Sequence, residues 1–285
     1  MNPAHAEPPR PPRVTALIVS RNCAPQLRRC LEALEHSTER GRLEILVVDN
    51  GSHDGSADVP NDFPDVQTLR LPKEFGWTKA ANIAMRTAKG DAIFFLPPHV
   101  AVEPDTLVRL ASRLEESDTI GAVCPIIRQW YRLPDAQALR QACTSGELPD
   151  PQSVPAEASE IAIDYAPGAP IMTRRLFLRG MNYFDEQYGD HWSDLELCWQ
   201  LRSVGKSILC LPQVHVIYGE APEPEHDTVH RADCTIGAAA YLGKHFGSGA
   251  AIKFRFGAAL GALARAQLSM VSALIAGQKV DGSHL

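Results

Sequence analysis

At 285 residues and 45% hydrophobic content, the chain has material for one large α/β domain, or one domain with a tail, and its bulk is not a disordered polymer. A net charge of -6 argues against general nucleic-acid binding; the acidity is uneven, because residues 244–285 carry five Lys/Arg against one Asp and leave about -10 for residues 1–243. Seven cysteines form an odd set without Cys-x-x-Cys spacing, and no signal peptide opens the chain, which reads as reduced thiols in a cytoplasm and gives no indication of zinc.

Met1 to Pro12 holds five prolines and few apolar residues, the composition of a disordered leader. From Arg13 onward, short apolar runs alternate with amphipathic segments, the pattern of βαβ units and a parallel sheet. Strands are expected at Val14–Val19, Glu44–Asp49, Val66–Leu71, Ala92–Leu96 and Gly121–Ile127, with helices near Pro25–His36, Trp77–Ala88 and Thr106–Ser117. Gln129–Ser159, with Pro134, Pro151 and Pro155 among polar residues, reads as a long surface excursion. Strand character returns at Ile161–Tyr165, Ala169–Thr173 and Ser207–Leu211. A helix opens at Ser193 and Asp194, and two more are expected at about His230–Phe246 and Ala250–Ala276. The resulting division is a leader at 1–12, a main domain at 13–246 and a helical tail at 247–285.

The most informative stretch is Ile45-Leu46-Val47-Val48-Asp49-Asn50-Gly51-Ser52-His53-Asp54-Gly55-Ser56. Four β-favouring residues suit a strand covered on both faces, and they run into acceptors and turn-formers at its carboxyl end. This is either an ordinary strand-to-turn junction or a ligand site, since open α/β sheets bind ligands at such ends.

Four segments make Arg13 to Phe246 resemble the family 2 inverting glycosyltransferases of GT-A fold, particularly the rhamnosyltransferase-like branch acting on surface polysaccharides. Val19-Ser20-Arg21-Asn22 and the Asp49-to-Ser56 run are similar to the family's nucleotide-binding strand ends. The resemblance implies nucleotide contacts from Ser20, Asn22, Asp49, Asn50 and Ser52. An Asn50 carbonyl facing the base could accept a uracil or thymine imide N–H. Phe75-Gly76-Trp77-Thr78-Lys79-Ala80-Ala81-Asn82 is similar to the helix start lying over the donor sugar phosphate. Lys79 and the helix N-terminus favour an anion, although a lysine there could equally be a solvated surface residue, and Asn82 is a polar residue on an apolar face. Pro167 to Arg175, followed by Phe184-Asp185-Glu186, resembles the acceptor-side strand and turn. Trp192-Ser193-Asp194-Leu195-Glu196-Leu197-Cys198 resembles the helix whose Asp deprotonates the acceptor hydroxyl. Asp194 holds that position, where the helix dipole would keep it ionised; simple helix capping is the other reading. Asp185 and Trp192 are expected on the acceptor side, with Trp192 either stacking on a sugar or buried in the core.

The family follows its fourth strand with carboxylates that hold Mn2+ or Mg2+ on the donor diphosphate. Here Pro97-Pro98-His99 stands instead, and the family's later histidine falls on Tyr218. Of these, only His99 could touch metal or phosphate. Three accounts follow: transfer without a metal, with Lys79, His99 and the His226–Arg231 segment stabilising the leaving diphosphate; a metal held by His99 with His226 or His230; or a degenerate protein that binds nucleotide sugar without turning it over.

In the tail, Leu260, Leu263, Val271, Leu274 and Ile275 recur at helical spacing beside Lys253, Arg255 and Arg265, an amphipathic basic helix that either lies on a membrane surface or packs on the main domain. The expectation is a GT-A, mostly parallel α/β transferase, cytoplasmic or peripheral at the inner membrane face. It would move sugar from a UDP- or dTDP-type donor to a glycan or lipid-linked acceptor, with no nucleic-acid partner. A non-catalytic nucleotide-sugar-binding scaffold is the alternative. A nucleotidyltransferase is disfavoured because no Gly-rich phosphate loop follows the first strand.

Overall fold

The computed structural model describes residues 13–127, 137, 139, 158–220 and 228–283; the leader, most of the Gln129–Ser159 excursion and His226 lie outside them. Every residue of β1 (Val14–Ser20) and β2 (Leu43–Asp49) is buried, as continuous apolar runs covered on both faces require. The two are parallel and in register from Val14 opposite Leu43 to Ser20 opposite Asp49. β3 (Val66–Arg70) extends the parallel set beyond β2, and β4 (Ala92–Phe95) does so beside β1. β5 (Val100–Val102) leaves this sheet. β6 (Ile120–Cys124), β7 (Ile161–Ile163), β8 (Ile171–Arg174) and β9 (Ser207–Cys210) complete it in the order β3-β2-β1-β4-β8-β6-β9-β7. β8 runs antiparallel to both of its neighbours, and β9 runs parallel to β6. The expected mixed, mostly parallel sheet is therefore present. The sequence pattern did not show the short ribbon in which β5 pairs with β10 (Val216–Tyr218), because three-residue strands carry no readable period.

Alternation along β1 divides the core. Val14, Ala16 and Ile18 join α1 (Ala24–Glu35) and α3 (Thr106–Glu115) on one face; Leu17 and Val19 join α2 (Trp77–Thr87) on the other. Helix α1 contributes Leu27, Cys30, Leu31 and Leu34 at helical spacing. After α4 (Arg175–Gly180) and α5 (Ser193–Ser203) the chain ends in α6 (Thr228–Phe246), α7 (Ser248–Ala264) and α8 (Leu268–Ala276).

The expected continuous helix over Ala250–Ala276 is thus two helices. Ala266 sits in the left-handed region at φ 55°, and the Arg265 and Gln267 N–H groups turn back to the Ala262 carbonyl. The turn folds α7 and α8 against α6 around Ile236, Ala262, Met270 and Leu274.

Helix α5 is fastened to α6 through Glu196, which is 2% exposed. Its carboxylate accepts from Lys244 Nζ at 2.8 Å, His245 Nε2 at 2.7 Å, Gln200 Nε2 at 2.8 Å and Tyr188 Oη at 3.1 Å. Burial alone would raise its pKa, but the bonds from Lys244, Gln200 and His245 outweigh it and hold the group below the usual Glu value. Glu196→Ala should lower stability by about 2 kcal/mol, because it removes a buried carboxylate that four side chains share and leaves the His245 ring and the Tyr188 hydroxyl without their acceptor. The group's folded pKa is depressed, so its contribution is present above the ordinary Glu value and lost as pH falls through the folded one. Thermal melts of wild type and variant should therefore converge in acid; melts that coincide at neutral pH would remove this linkage from the fold's support.

Candidate functional site

Because β1 and β2 end level, the loops after Ser20 and Asp49 emerge side by side and stitch together. Asn22 accepts from the His53 N–H at 2.9 Å and donates its own N–H to Ser52 Oγ at 3.2 Å. Cys23 N–H donates to Ser56 Oγ at 2.9 Å, and Ala24 N–H, at the start of α1, donates to Asp54 at 3.0 Å. Gly51 lies at φ 74°, where a Cβ would stand 2.6 Å from the Lys73 carbonyl carbon, so the loop before α2 can close over it only with glycine there. Asp49 is 4% exposed; one oxygen accepts from Ser52 N–H at 3.4 Å, and the other, Oδ1, is buried without a hydrogen-bond partner among the described residues.

Several residues expected at a ligand are engaged in packing. Asn50 is buried and its Oδ1 accepts from Phe75 N–H at 2.9 Å, so it braces the loop before α2. Ser20 is fully buried, 3.3 Å from Cys23 Sγ. Asn82 is also buried. Its amide accepts from Phe184 N–H at 3.0 Å and donates to the Phe184 carbonyl at 2.9 Å and to Glu186 Oε1 at 3.2 Å, which fixes the Phe184–Glu186 turn to α2. The N-terminus of α2 is not an open anion site: Trp77 N–H donates to Asp190 Oδ1 at 2.8 Å and Thr78 N–H to the Gly189 carbonyl at 3.1 Å. Trp192 belongs to the core, 7% exposed, its indole N–H donating to the Cys234 carbonyl at 2.9 Å. Asp185 is held by Lys244 at 3.4 Å and Gln187 N–H at 3.0 Å.

The structure does bring the third and fourth segments of the sequence pattern together at Asp194, which stands in the first turn of α5. Its Oδ2 accepts from Gly168 N–H at 3.1 Å, its Oδ1 from Leu195 N–H at 2.8 Å, and the Tyr165 hydroxyl approaches at 3.3 Å. Burial pushes its pKa up, only partly offset by those donors and by His191.

A strap of residues from the far end of the chain, without any sequence signal, crosses this region. Lys279 is buried, its ammonium donating to the Glu186 carbonyl at 2.9 Å and to that of Gln187. Val280 N–H donates to Asp233, and Asp281 pairs with Lys79 at 3.2 Å while its carbonyl accepts from Lys73 at 2.6 Å. Lys79 is therefore an ion-paired residue.

Pro97-Pro98-His99 leads from β4 into the ribbon, where Gly219 N–H donates to the His99 carbonyl at 2.7 Å and Tyr218 lies opposite Val100. The two altered metal positions are thus neighbours, but prolines, one imidazole and a phenol do not form the oxygen-rich set that Mg2+ or Mn2+ takes on a diphosphate, and the metal role expected of His99 does not fit. Among the described residues, the one grouping of three that could hold an ion is Glu74, Asp190 and His230.

A mixed, mostly parallel eight-stranded sheet flanked by helices is the GT-A architecture. Residues 15–156 match the model of glycosyl transferase family 2, and this part of the chain belongs to that family. It is 24% identical over 248 residues to the O-antigen biosynthesis protein RfbC of Myxococcus xanthus, covering 81% of this chain and 19% of that protein. It is 26% identical over 242 residues to N-acetylglucosaminyl-diphospho-decaprenol L-rhamnosyltransferase of Mycobacterium tuberculosis, covering 71% and 75%. The chain spans 19%, 28% and 30% of the first three curated relatives it matches. Its fold is that of GalNAc-T7, solved with UDP, GalNAc and Mn2+, at a TM-score of 0.59 and 16% identity over 75% of this chain and 45% of that one.

Asp281 competes with any anion for the Lys79 ammonium. Asp281→Asn should tighten UDP binding about threefold in calorimetric titration, the scale of one exposed ion pair. An unchanged affinity would place Lys79 away from the phosphate-binding surface.

Proposed function

We propose that the chain transfers a sugar from a UDP- or dTDP-type donor to an acceptor hydroxyl by single displacement with inversion, in polysaccharide or glycolipid assembly. The observation that carries this reading is the Asp194 carboxylate, anchored by two backbone N–H groups and a phenol, with its basicity raised by burial. In the proposed step, Asp194 takes the acceptor hydroxyl proton. The oxygen bonds to the anomeric carbon, and the bond to the donor phosphate breaks with its electron pair leaving on the nucleoside diphosphate. Asp49, through its unpartnered Oδ1, with Asn22 and Ser52 in the stitched loops, would meet the nucleoside. Lys79, once released from Asp281, and His99 would face the diphosphate. No step is routed through a metal at residues 97–99.

Asp194→Asn should lower kcat by at least about 100-fold while donor binding persists. The acid limb of the wild-type pH–rate profile should lie above the ordinary Asp value, because a raised pKa keeps the base protonated to higher pH. Undiminished transfer would remove Asp194 from the mechanism. Donor binding with no turnover in the wild type would favour the second reading, a nucleotide-sugar-binding scaffold, which rests on Pro97-Pro98-His99.

The acceptor is proposed to be lipid-linked, with the protein peripheral at the inner membrane face. No helix among the described residues is long and apolar enough to cross a membrane. Helix α7, however, exposes Ile252, Phe256, Leu260 and Leu263 at 68%, 64%, 50% and 53%, at the spacing of one helical stripe, with Lys253 nearby. Wild type should sediment with phosphatidylglycerol vesicles, and a Phe256→Ser, Leu260→Ser variant should stay in the supernatant; equal sedimentation of the two would exclude this face.

A further inference from the structure

We infer that Glu74, Asp190 and His230 form a binding site for one divalent ion of the manganese-to-zinc series, apart from the altered positions at residues 97–99. Their ligand atoms lie within 4.8 Å of one another. His230 Nε2 is 2.8 Å from Glu74 Oε1 and 3.6 Å from Asp190 Oδ2. An ion about 2.1 Å from each ligand sets neighbouring ligands about 3.0 to 3.4 Å apart, so the two spacings from His230 need only tenths of an ångström of adjustment. One imidazole with two carboxylates suits first-row divalent ions better than the all-oxygen preference of Mg2+ or the thiolate preference of soft metals.

The three groups come from the loop before α2, the loop before α5 and the first turn of α6, and their side chains are only 16%, 21% and 13% exposed. Two are oriented by neighbours. Asp190 gives Oδ1 to the Trp77 N–H, which leaves Oδ2 turned to His230, and its own N–H donates to Asp233 at 2.9 Å. Glu74 precedes Phe75, whose N–H is fixed by Asn50. Three protein ligands leave further positions for water or an anionic oxygen. Arg21 Nε stands 2.9 Å from the same Glu74 oxygen that His230 meets, so ion and guanidinium compete for this carboxylate. Bound, the ion would tie the start of α6 to both loops.

The test is titration of the full chain with manganese chloride, read by loss of the free-ion electron paramagnetic resonance signal and by thermal melting. Wild type should take up one ion per chain and melt higher with it. His230→Gln and Asp190→Asn should each weaken uptake by at least about tenfold and lose the melting shift, and Arg21→Gln should strengthen uptake by removing the competing cation. His99→Ala should bind as wild type. No uptake by wild type at about 1 mM, or uptake untouched by both ligand variants, would overturn the site and leave an ion-pair network of Arg21, Glu74, His230 and Asp190. Loss of uptake only in His99→Ala would place the ion at the β4 end and equally overturn it. Melts without ion show whether each variant is folded, and the reading is independent of any transfer reaction.

Discussion

The parallel register of β1 on β2 is the constraint from which the site follows. Ser20 and Asp49 leave the sheet at one level, so two loops of ordinary turn composition meet and satisfy each other's backbone groups. Had the strands been offset by two residues, Asn22 would not reach His53 and Asp54 would not meet the first N–H of α1. The loop before α2 then closes on this pair through Gly51 and Asn50, and α2 carries the Phe184–Asp190 turn to the start of α5. Sheet register thus fixes Asp194 through a chain of short polar contacts.

Those contacts explain what was legible in the sequence. Apolar runs and 3.6-residue spacing gave the sheet strands and the first three helices to within a few residues, because burial on one or both faces leaves a local trace. The place of Asp194 at a helix start was legible for a different reason: Ser193 and Asp194 are local capping chemistry ahead of a helical run. The partners of Asn50 and Asn82 were not legible, because a buried amide declares that it has a specific partner without declaring which. The backbone groups they meet, at Phe75 and Phe184, are 25 and 102 residues away. The break at Ala266 was illegible too, since nothing in an Ala-Arg-Ala-Gln stretch demands a left-handed residue; the packing of α8 on α6 supplies the reason.

The strap at Lys279–Asp281 shows the same limit for charges. A lysine and an aspartate near the end of a chain read as solvated groups, yet Lys279 is buried on two carbonyls and Asp281 faces Lys79. Desolvation lowers the Lys279 pKa, and the carboxylate of Asp233 opposes that. A buried ammonium that caps carbonyls makes the Phe184–Asp190 turn depend on the segment that follows the C-terminal helices.

Asp194 and Glu196 show how one helix carries two opposite electrostatic roles. They are two residues apart and therefore point to different sides of α5. Glu196 meets Lys244 and His245, and its pKa falls; Asp194 meets two backbone N–H groups and a phenol, and its pKa rises. Cationic hydrogen bonds hold a carboxylate in its charged form, whereas burial against neutral donors leaves it readier to take a proton. An acidic pair at the same spacing, exposed on a surface helix, would have no such division. The division arises because α6 packs its cationic end on one side of α5 while the Gly168 turn, which carries no charge, closes the other.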